Sequence, residues 1–283
     1  MTSHRAFRIA FWLFAGSIAF SLAGAALLNF APGPAGVALD QIAVWTGLSL
    51  DDLIKLPTWV NMAMLAVLAF TLYLDELGWG KSIAFLLVGS VIGGVAELVG
   101  TTTGFPFGPY EYGPYLGAKI AGHVPWLIPP SWYAIAIVSL DLSRRLGWGR
   151  WGRIGGVALF MVLWDVALDP AMSYAFPFWT YGVDGVFFGM PLVNWAGWAL
   201  TSLVIGLAFE MMGGLKAAPD LFVERWAPRF YVLNSAFSIA ICFAYRAPLA
   251  GLAGLVAILI VVGLLMRAKG RTPAATASQP ALA

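Results

Sequence analysis

The sequence has little charge. Only 11% of its 283 residues are Asp, Glu, Lys or Arg, against about 25% in an ordinary soluble domain. That excludes a soluble globular protein. The net charge of +2 is too small to suggest binding to nucleic acid, and no nucleic-acid partner is expected. Cys242 is the one cysteine, which excludes an intramolecular disulfide and any Cys-based metal cage. Its place in the run SIAICFAY marks it as a packed small apolar residue. His4 and His123 are the two histidines, too few for a multi-His metal centre. No metal ligand set and no cofactor are therefore expected.

What is present is apolar: 60% of the chain. Runs near 20 apolar residues mark membrane-spanning helices, and eight are visible. They are about Phe7–Leu28, Trp59–Leu77, Ser82–Leu98, Pro130–Leu142 (extending to Arg145), Ile154–Met172, Leu192–Met212, Phe230–Tyr245 and Pro248–Met266. The expected fold is an all-α polytopic membrane bundle of about eight helices. Residues 1–271 form a single transmembrane domain, and 272–283, rich in Ala, Pro, Ser and Thr, form a disordered tail. The first run follows Arg5 and Arg8, is too long for a signal peptide, and reads as a retained helix. Residues 29–58 read as a loop, with LSLDDLIKL as a short interfacial helix. Eight spans with the N-terminus inside sort the 16 Lys and Arg residues as thirteen inside and three outside. Both termini are then cytoplasmic, in the cytoplasmic membrane.

Two stretches stand apart. ELVGTTTGFPFGPYEYGPYLG, from Glu97, runs on to VPWLIPPSW, ending at Trp132. WDVALDPAMSYAFPFWTYGVDG runs on to MPLVNWAGW, ending at Trp198. Each opens with a carboxylate in an apolar run and continues through Gly, Pro and aromatics. Each ends with a Trp that opens the next apolar run. LGWGK before the third run matches LGWGR before the fifth, Phe105-Pro106-Phe107 matches Phe176-Pro177-Phe178, and Trp132 matches Trp198. The offsets are 69, 71 and 66 residues. Both copies cross in one direction, so the pattern reads as a parallel repeat of helices two–three and four–five with their loops. Such repeats place a shared site at their interface.

The candidate chemistry follows from three carboxylates. Gly89, Gly93 and Glu97 are four apart and share a helix face. The glycines let another helix approach, so Glu97 points into the bundle. Asp165 and Asp169 are one turn apart on one face. In a low dielectric two such carboxylates do not both ionise readily, and one keeps its proton near neutral pH. Pro170 loosens the helix beside them. The loops supply Tyr110, Tyr112, Trp132, Trp179 and Trp198, aromatic faces that can stabilise positive charge. Asn194 and Trp198 point inward together, where Asn194 can orient a water or a carboxylate. The other charges, Asp75 and Glu76 beside Lys81 and Asp141 beside Arg144 and Arg145, read as structural pairs.

At these residues the chain resembles the carotenoid hydratase family of the CruF type. The pattern comprises Glu97, Gly100, Gly104, Pro106, Phe107, Gly108, Tyr110 and Tyr112. It continues through Asp169 and Pro170 to Gly189, Pro191, Asn194, Gly197 and Trp198. The similarity covers roughly Leu77–Met212. Trp195 replaces a Phe of the family pattern, and Trp179-Thr180-Tyr181 replaces a Trp-x-Trp. The resemblance implies cofactor-independent addition of water to the terminal C1,C2 double bond of an acyclic carotenoid end group. The product is a tertiary 1-hydroxy carotenoid. The implied substrate is lycopene-, γ-carotene- or bisanhydrobacterioruberin-like and enters from the bilayer. Membrane lipid and other membrane enzymes of the carotenoid pathway are the further candidate partners. On this reading Glu97, Asp165 and Asp169 are catalytic, with Asp169 or Asp165 the acid. Tyr110, Tyr112, Trp132, Trp179, Asn194 and Trp198 hold the substrate. The alternative is a non-catalytic carotenoid or isoprenoid-lipid binding or transport protein. A cyclase shares the protonation step; a di-iron hydroxylase would need more histidines.

Overall fold

The structure is a computed structural model that describes residues 3–245 and 247–269. The tail expected at 272–283, with Arg246 and Arg271, lies outside the described residues. The helices are α1 (Ser3–Phe30), α2 (Pro32–Thr46), α3 (Leu50–Thr103), α4 (Ile128–Arg145), α5 (Arg150–Asp169), α6 (Val193–Met211), α7 (Leu221–Ala244) and α8 (Pro248–Lys269). Four short strands lie in the loops: β1 (Tyr110–Tyr112), β2 (Lys119–Ile120), β3 (Val124–Pro125) and β4 (Trp179–Tyr181). The fold is an all-α helical bundle, as expected. Five of its helical stretches are long and apolar enough to cross a membrane.

The long α3 contains two of the expected runs. A straight helix would hold Thr58 and Glu97 about 58 Å apart, yet both line one cavity. The chain doubles back at Gly78, whose φ of 72° and ψ of 165° are not helical. Glycine adopts that conformation without the Cβ penalty other residues meet. Thr58 and Glu97 are equidistant from this turn to within a residue, so the two arms bring them level.

One expectation fails. Residues 29–58 are not a loop but α2 and the start of α3. Pro32 occupies the first turn of α2, where a missing N–H costs nothing. Gly47, in the left-handed region at φ 71°, ends that helix. Ser49 and Asp52 then form a capping box for α3. Prolines that suggest a loop when counted are helix-compatible when placed.

α4 is the centre of the bundle. Every residue from Ser131 to Arg144 is buried, the charged Asp141 and Arg144 included. Gly89 and Gly93 of α3 permit its approach. A Cβ on Gly89 would lie 3.0 Å from the Tyr133 Cα, and one on Gly93 would lie 2.4 Å from Trp132. The glycine face expected of this segment is thus a contact face for α4.

The ends of the bundle differ. At the Gly78 end, Arg144 donates to both oxygens of Glu76 (2.6 and 2.9 Å) and to Asp141 (Nε, 2.8 Å). Arg145 donates to Asp141 (2.7 Å) and Arg153 to Glu210 (2.8 and 2.6 Å). Lys81 does not pair with Glu76; its ammonium donates to the Gly214 carbonyl at 2.7 Å. Each buried charge here has a partner, which is the condition for tolerating it. The aromatic loops close the other end.

Candidate active site

The loop after α3 folds back under its own helix. Phe107 is wedged between α3 and α6: a Cβ on Gly100 would lie 2.7 Å from its ring, and one on Gly197 2.5 Å. This anchors β1, which pairs antiparallel with β4 from the second stretch. Tyr110 faces Tyr181, Glu111 faces Thr180, and Tyr112 faces Trp179. The two loops thus meet as a two-stranded ribbon, and alternate residues of each strand share a face. Tyr110, Tyr112, Trp179 and Tyr181 all reach the cavity beneath.

Glu97 is 4% exposed. Its Oε2 accepts hydrogen bonds from the Tyr110 hydroxyl and from the Tyr112 hydroxyl (2.8 Å). Its Oε1 accepts from Trp132 Nε1 at 2.9 Å. Three donors from two elements therefore hold one carboxylate. Burial holds the Tyr110, Tyr112 and Tyr181 phenols well above their ordinary range, and the adjacent carboxylates raise them further. These groups stay O–H donors.

Asp169 is likewise buried. Its Oδ2 accepts from the Tyr181 hydroxyl and from Asn194 Nδ2 (2.9 Å). Ser173 Oγ lies 2.8 Å from the Asp169 main-chain oxygen and 2.9 Å from Oδ1. Pro170 opens a π-helical turn, Pro170–Ala175, the loosening expected there; such turns accompany functional sites. Asp165 lies behind. It shares the Asn194 amide (3.3 Å) through Oδ2. Its buried Oδ1 has no hydrogen-bond partner among the described residues.

A cavity of about 950 Å³ including its mouth joins these groups. Glu97, Asp169, Asn194, Tyr110, Tyr112, Trp132, Trp179 and Trp198 line it; Asp165 does not. Trp132 and Trp198 stack at 4.2 Å with their planes 24° apart. Trp164 meets Trp198 edge-on at 5.8 Å. The structure thus brings eight of the nine expected residues to one wall and leaves Asp165 one hydrogen bond away. Sequence reading noted Tyr181 within the Trp179-Thr180-Tyr181 stretch but did not assign it, or Ser173, to the site. It also missed Asn61 and Asn234, single polar residues in apolar helices. Both line the cavity, and each has a buried amide nitrogen unpartnered among the described residues. A buried donor left free is a donor available to a bound molecule. Among the described residues no three His, Cys, Asp or Glu side chains are grouped to hold a metal ion.

Comparison with known proteins bears on this arrangement. The model of a family described as "Carotenoid biosynthesis protein" matches residues 57–261, most of the chain. The chain belongs to the carotenoid biosynthesis protein family. All nine expected residues fall in the matched region. A curated relative, the bisanhydrobacterioruberin hydratase of Haloarcula japonica, is 35% identical over 119 residues. The match spans 40% of this chain and 40% of that protein, well under two thirds of the relative's length. No solved structure matches. Family membership and the long apolar helices together make this a membrane protein of carotenoid biosynthesis.

Proposed function

We propose that this chain is a carotenoid hydratase. It adds water across the terminal C1,C2 double bond of an acyclic end group, without a cofactor. The observation that carries this reading is the pair of buried, multiply hydrogen-bonded carboxylates, Glu97 and Asp169, on one aromatic-walled cavity. The hydratase name of the relative from Haloarcula japonica supports the reaction type.

Asp169 is the proton donor. Ser173 has one hydroxyl proton, and the Asp169 main-chain oxygen takes it at 2.8 Å. Across the second contact, 2.9 Å to Oδ1, the ionised carboxylate accepts from Ser173 Oγ, whereas the protonated acid of this proposal donates to it. That proton passes to C2 of the substrate. The alkene π electrons form the new C2–H bond, and C1 becomes a tertiary cation. The faces of Trp179 and Trp198 stabilise the cation. Water attacks C1, and its departing proton goes to Glu97, which is held as an acceptor by three donors. The sum is one water added. One proton must then return from Glu97 to Asp169. Tyr110 is bonded to Glu97 and Tyr181 to Asp169, and a water joining the two hydroxyls would complete the return path. Asp165 acts through Asn194, which it shares with Asp169, and positions the acid.

The same proposal extends to the frame. β1 and β4 pair about Glu111 and Thr180, and the repeat-related Trp132 and Trp198 stack. Contacts between equivalent residues are what a local two-fold axis along the membrane normal would produce. Residues 1–271 then form one membrane domain of eight spans, with both termini on the cytoplasmic side.

The test is expression in a host that makes acyclic carotenoids, followed by chromatography and mass spectrometry of the pigments. The expected product is more polar and heavier by one water. Unchanged pigment with protein correctly inserted refutes hydration and leaves binding or transport; a cyclised product of unchanged mass identifies a cyclase.

A further inference from the structure

A second cavity adjoins the first. It measures about 1050 Å³ including its mouth, and Ser21, Thr58, Met172, Phe178 and Phe237 line both. The two spaces therefore share a wall. The second is framed by α1 from Phe20 to Leu28 and by α2 from Ala35 to Ile42. It follows α1 for about 12 Å. Among the described residues no charged side chain lines it; its polar side chains are Ser21, Thr58 and Tyr245. The carboxylates belong wholly to the first cavity. Phe20, Leu27 and Leu28 at its rim are 47%, 46% and 40% exposed, so the space opens on the outer face of the helices, where α1 and α2 meet.

Its walls also differ. Gly24, Ala35 and Ala38 contribute small residues to its lining, and Phe176, Phe178 and Phe237 contribute aromatic ones. A slot lined by small and aromatic side chains suits a flat, rigid chain. A conjugated polyene loses little conformational freedom on entering it, whereas a flexible acyl chain loses a rotamer at each ordered bond.

We propose that this second cavity is the binding site for the conjugated chain behind the reacting end group. Its mouth between α1 and α2 is where that chain leaves the bilayer. The identity of the occupant rests on the hydratase reading of the adjoining cavity. The polyene lies along α1, with its end group past Met172 and Phe178 against Asp169 and Glu97.

The test uses a polyene that cannot react: a C40 carotenoid saturated at both terminal C1,C2 bonds. The full chain is purified in detergent, and quenching of its tryptophan fluorescence by the polyene reports binding. Gly24→Phe and Ala38→Phe project into the slot. Gly16→Phe, on an exposed part of α1 with open space around it, is the control. The expected result is saturable binding, weakened at least tenfold by either slot variant and unchanged by the control. If Gly24→Phe misfolds, Ala38→Phe on α2 carries the test alone. Wild-type affinity in a folded slot variant overturns the proposal. So does equal binding of a fully saturated C40 hydrocarbon, which would mark a general lipid slot. Because the probe cannot be hydrated, slot-dependent binding without turnover of a natural acyclic carotenoid would refute hydration and leave the site standing. Turnover undiminished in both folded slot variants would refute the site and leave hydration standing.

Discussion

Asp169→Asn separates the acid from its scaffold. The amide has the size of the carboxylic acid and can reproduce its contacts. Its Oδ1 takes the place of the carboxylate oxygen that accepts from Tyr181 and from Asn194 at 2.9 Å. Its Nδ2 donates to Ser173 Oγ, as the protonated acid does at 2.9 Å. The existing hydrogen bonds are reproduced and one N–H is added, so the stability change should stay within about 1–3 kcal/mol, the cost of one buried donor left unpaired. On the proposed mechanism, what is lost is the proton delivered to C2. A positioned general acid is worth about 10²- to 10⁴-fold in rate, or roughly 3–5 kcal/mol of barrier. The assay is turnover of an acyclic carotenoid by purified protein, with product measured by mass and integrity by thermal unfolding in detergent. The expected outcome is a folded variant, destabilised by no more than one unpaired donor costs, with turnover down at least a hundredfold. A variant that unfolds like the wild type and turns over normally would refute Asp169 as the acid. A variant strongly destabilised would refute the protonated hydrogen-bond pattern instead, because an ionised carboxylate accepts from Ser173 and an amide nitrogen cannot.

Two further outcomes follow from packing. Gly93→Ala would set a methyl 2.4 Å from Trp132. Overpacking of this kind costs about 1–3 kcal/mol and displaces the indole that donates to Glu97, so both the unfolding temperature and turnover should fall. Gly155→Ala, inside α5 with nothing within 4 Å, should leave turnover unchanged and raise the unfolding temperature slightly, because alanine favours a helix interior over glycine. Arg144→Met removes the cation paired with Glu76 and one of the two cations on Asp141, which keeps Arg145. Stranding buried charges costs about 3–5 kcal/mol; loss of folded protein on size-exclusion chromatography checks this, and a normal elution profile would show the cluster to be dispensable.

The sequence alone determined the class of protein. Apolar runs near the length of a bilayer crossing and a scarcity of charge admit few folds other than a helical membrane bundle. Each expected run is helical in the structure. Local spacing also sufficed to turn Glu97, Asp165 and Asp169 into the bundle, where all three are buried, because a helix converts a four-residue interval into a shared face. Spacing failed between Asn29 and Thr58, where prolines read as loop residues sit in the first turn of α2 and inside α3. Composition does not record position within a helix.

Tertiary structure decided the rest, since side chains far apart in sequence meet only through packing. It reversed α3 at Gly78, so that Thr58 and Glu97 line one cavity. It paired β1 with β4, which brought Tyr181 to Asp169 and Tyr110 to Glu97. It ranked the carboxylates, placing Asp169 on the cavity wall and Asp165 behind Asn194, a distinction one helical turn cannot make. It turned Asn61 and Asn234 from isolated polar residues into donors on the same cavity, unpartnered among the described residues. Covalent order and helix periodicity reach across a few residues; the site joins groups separated by more than a hundred, and only the packing of α3, α4, α5 and α6 brings them together.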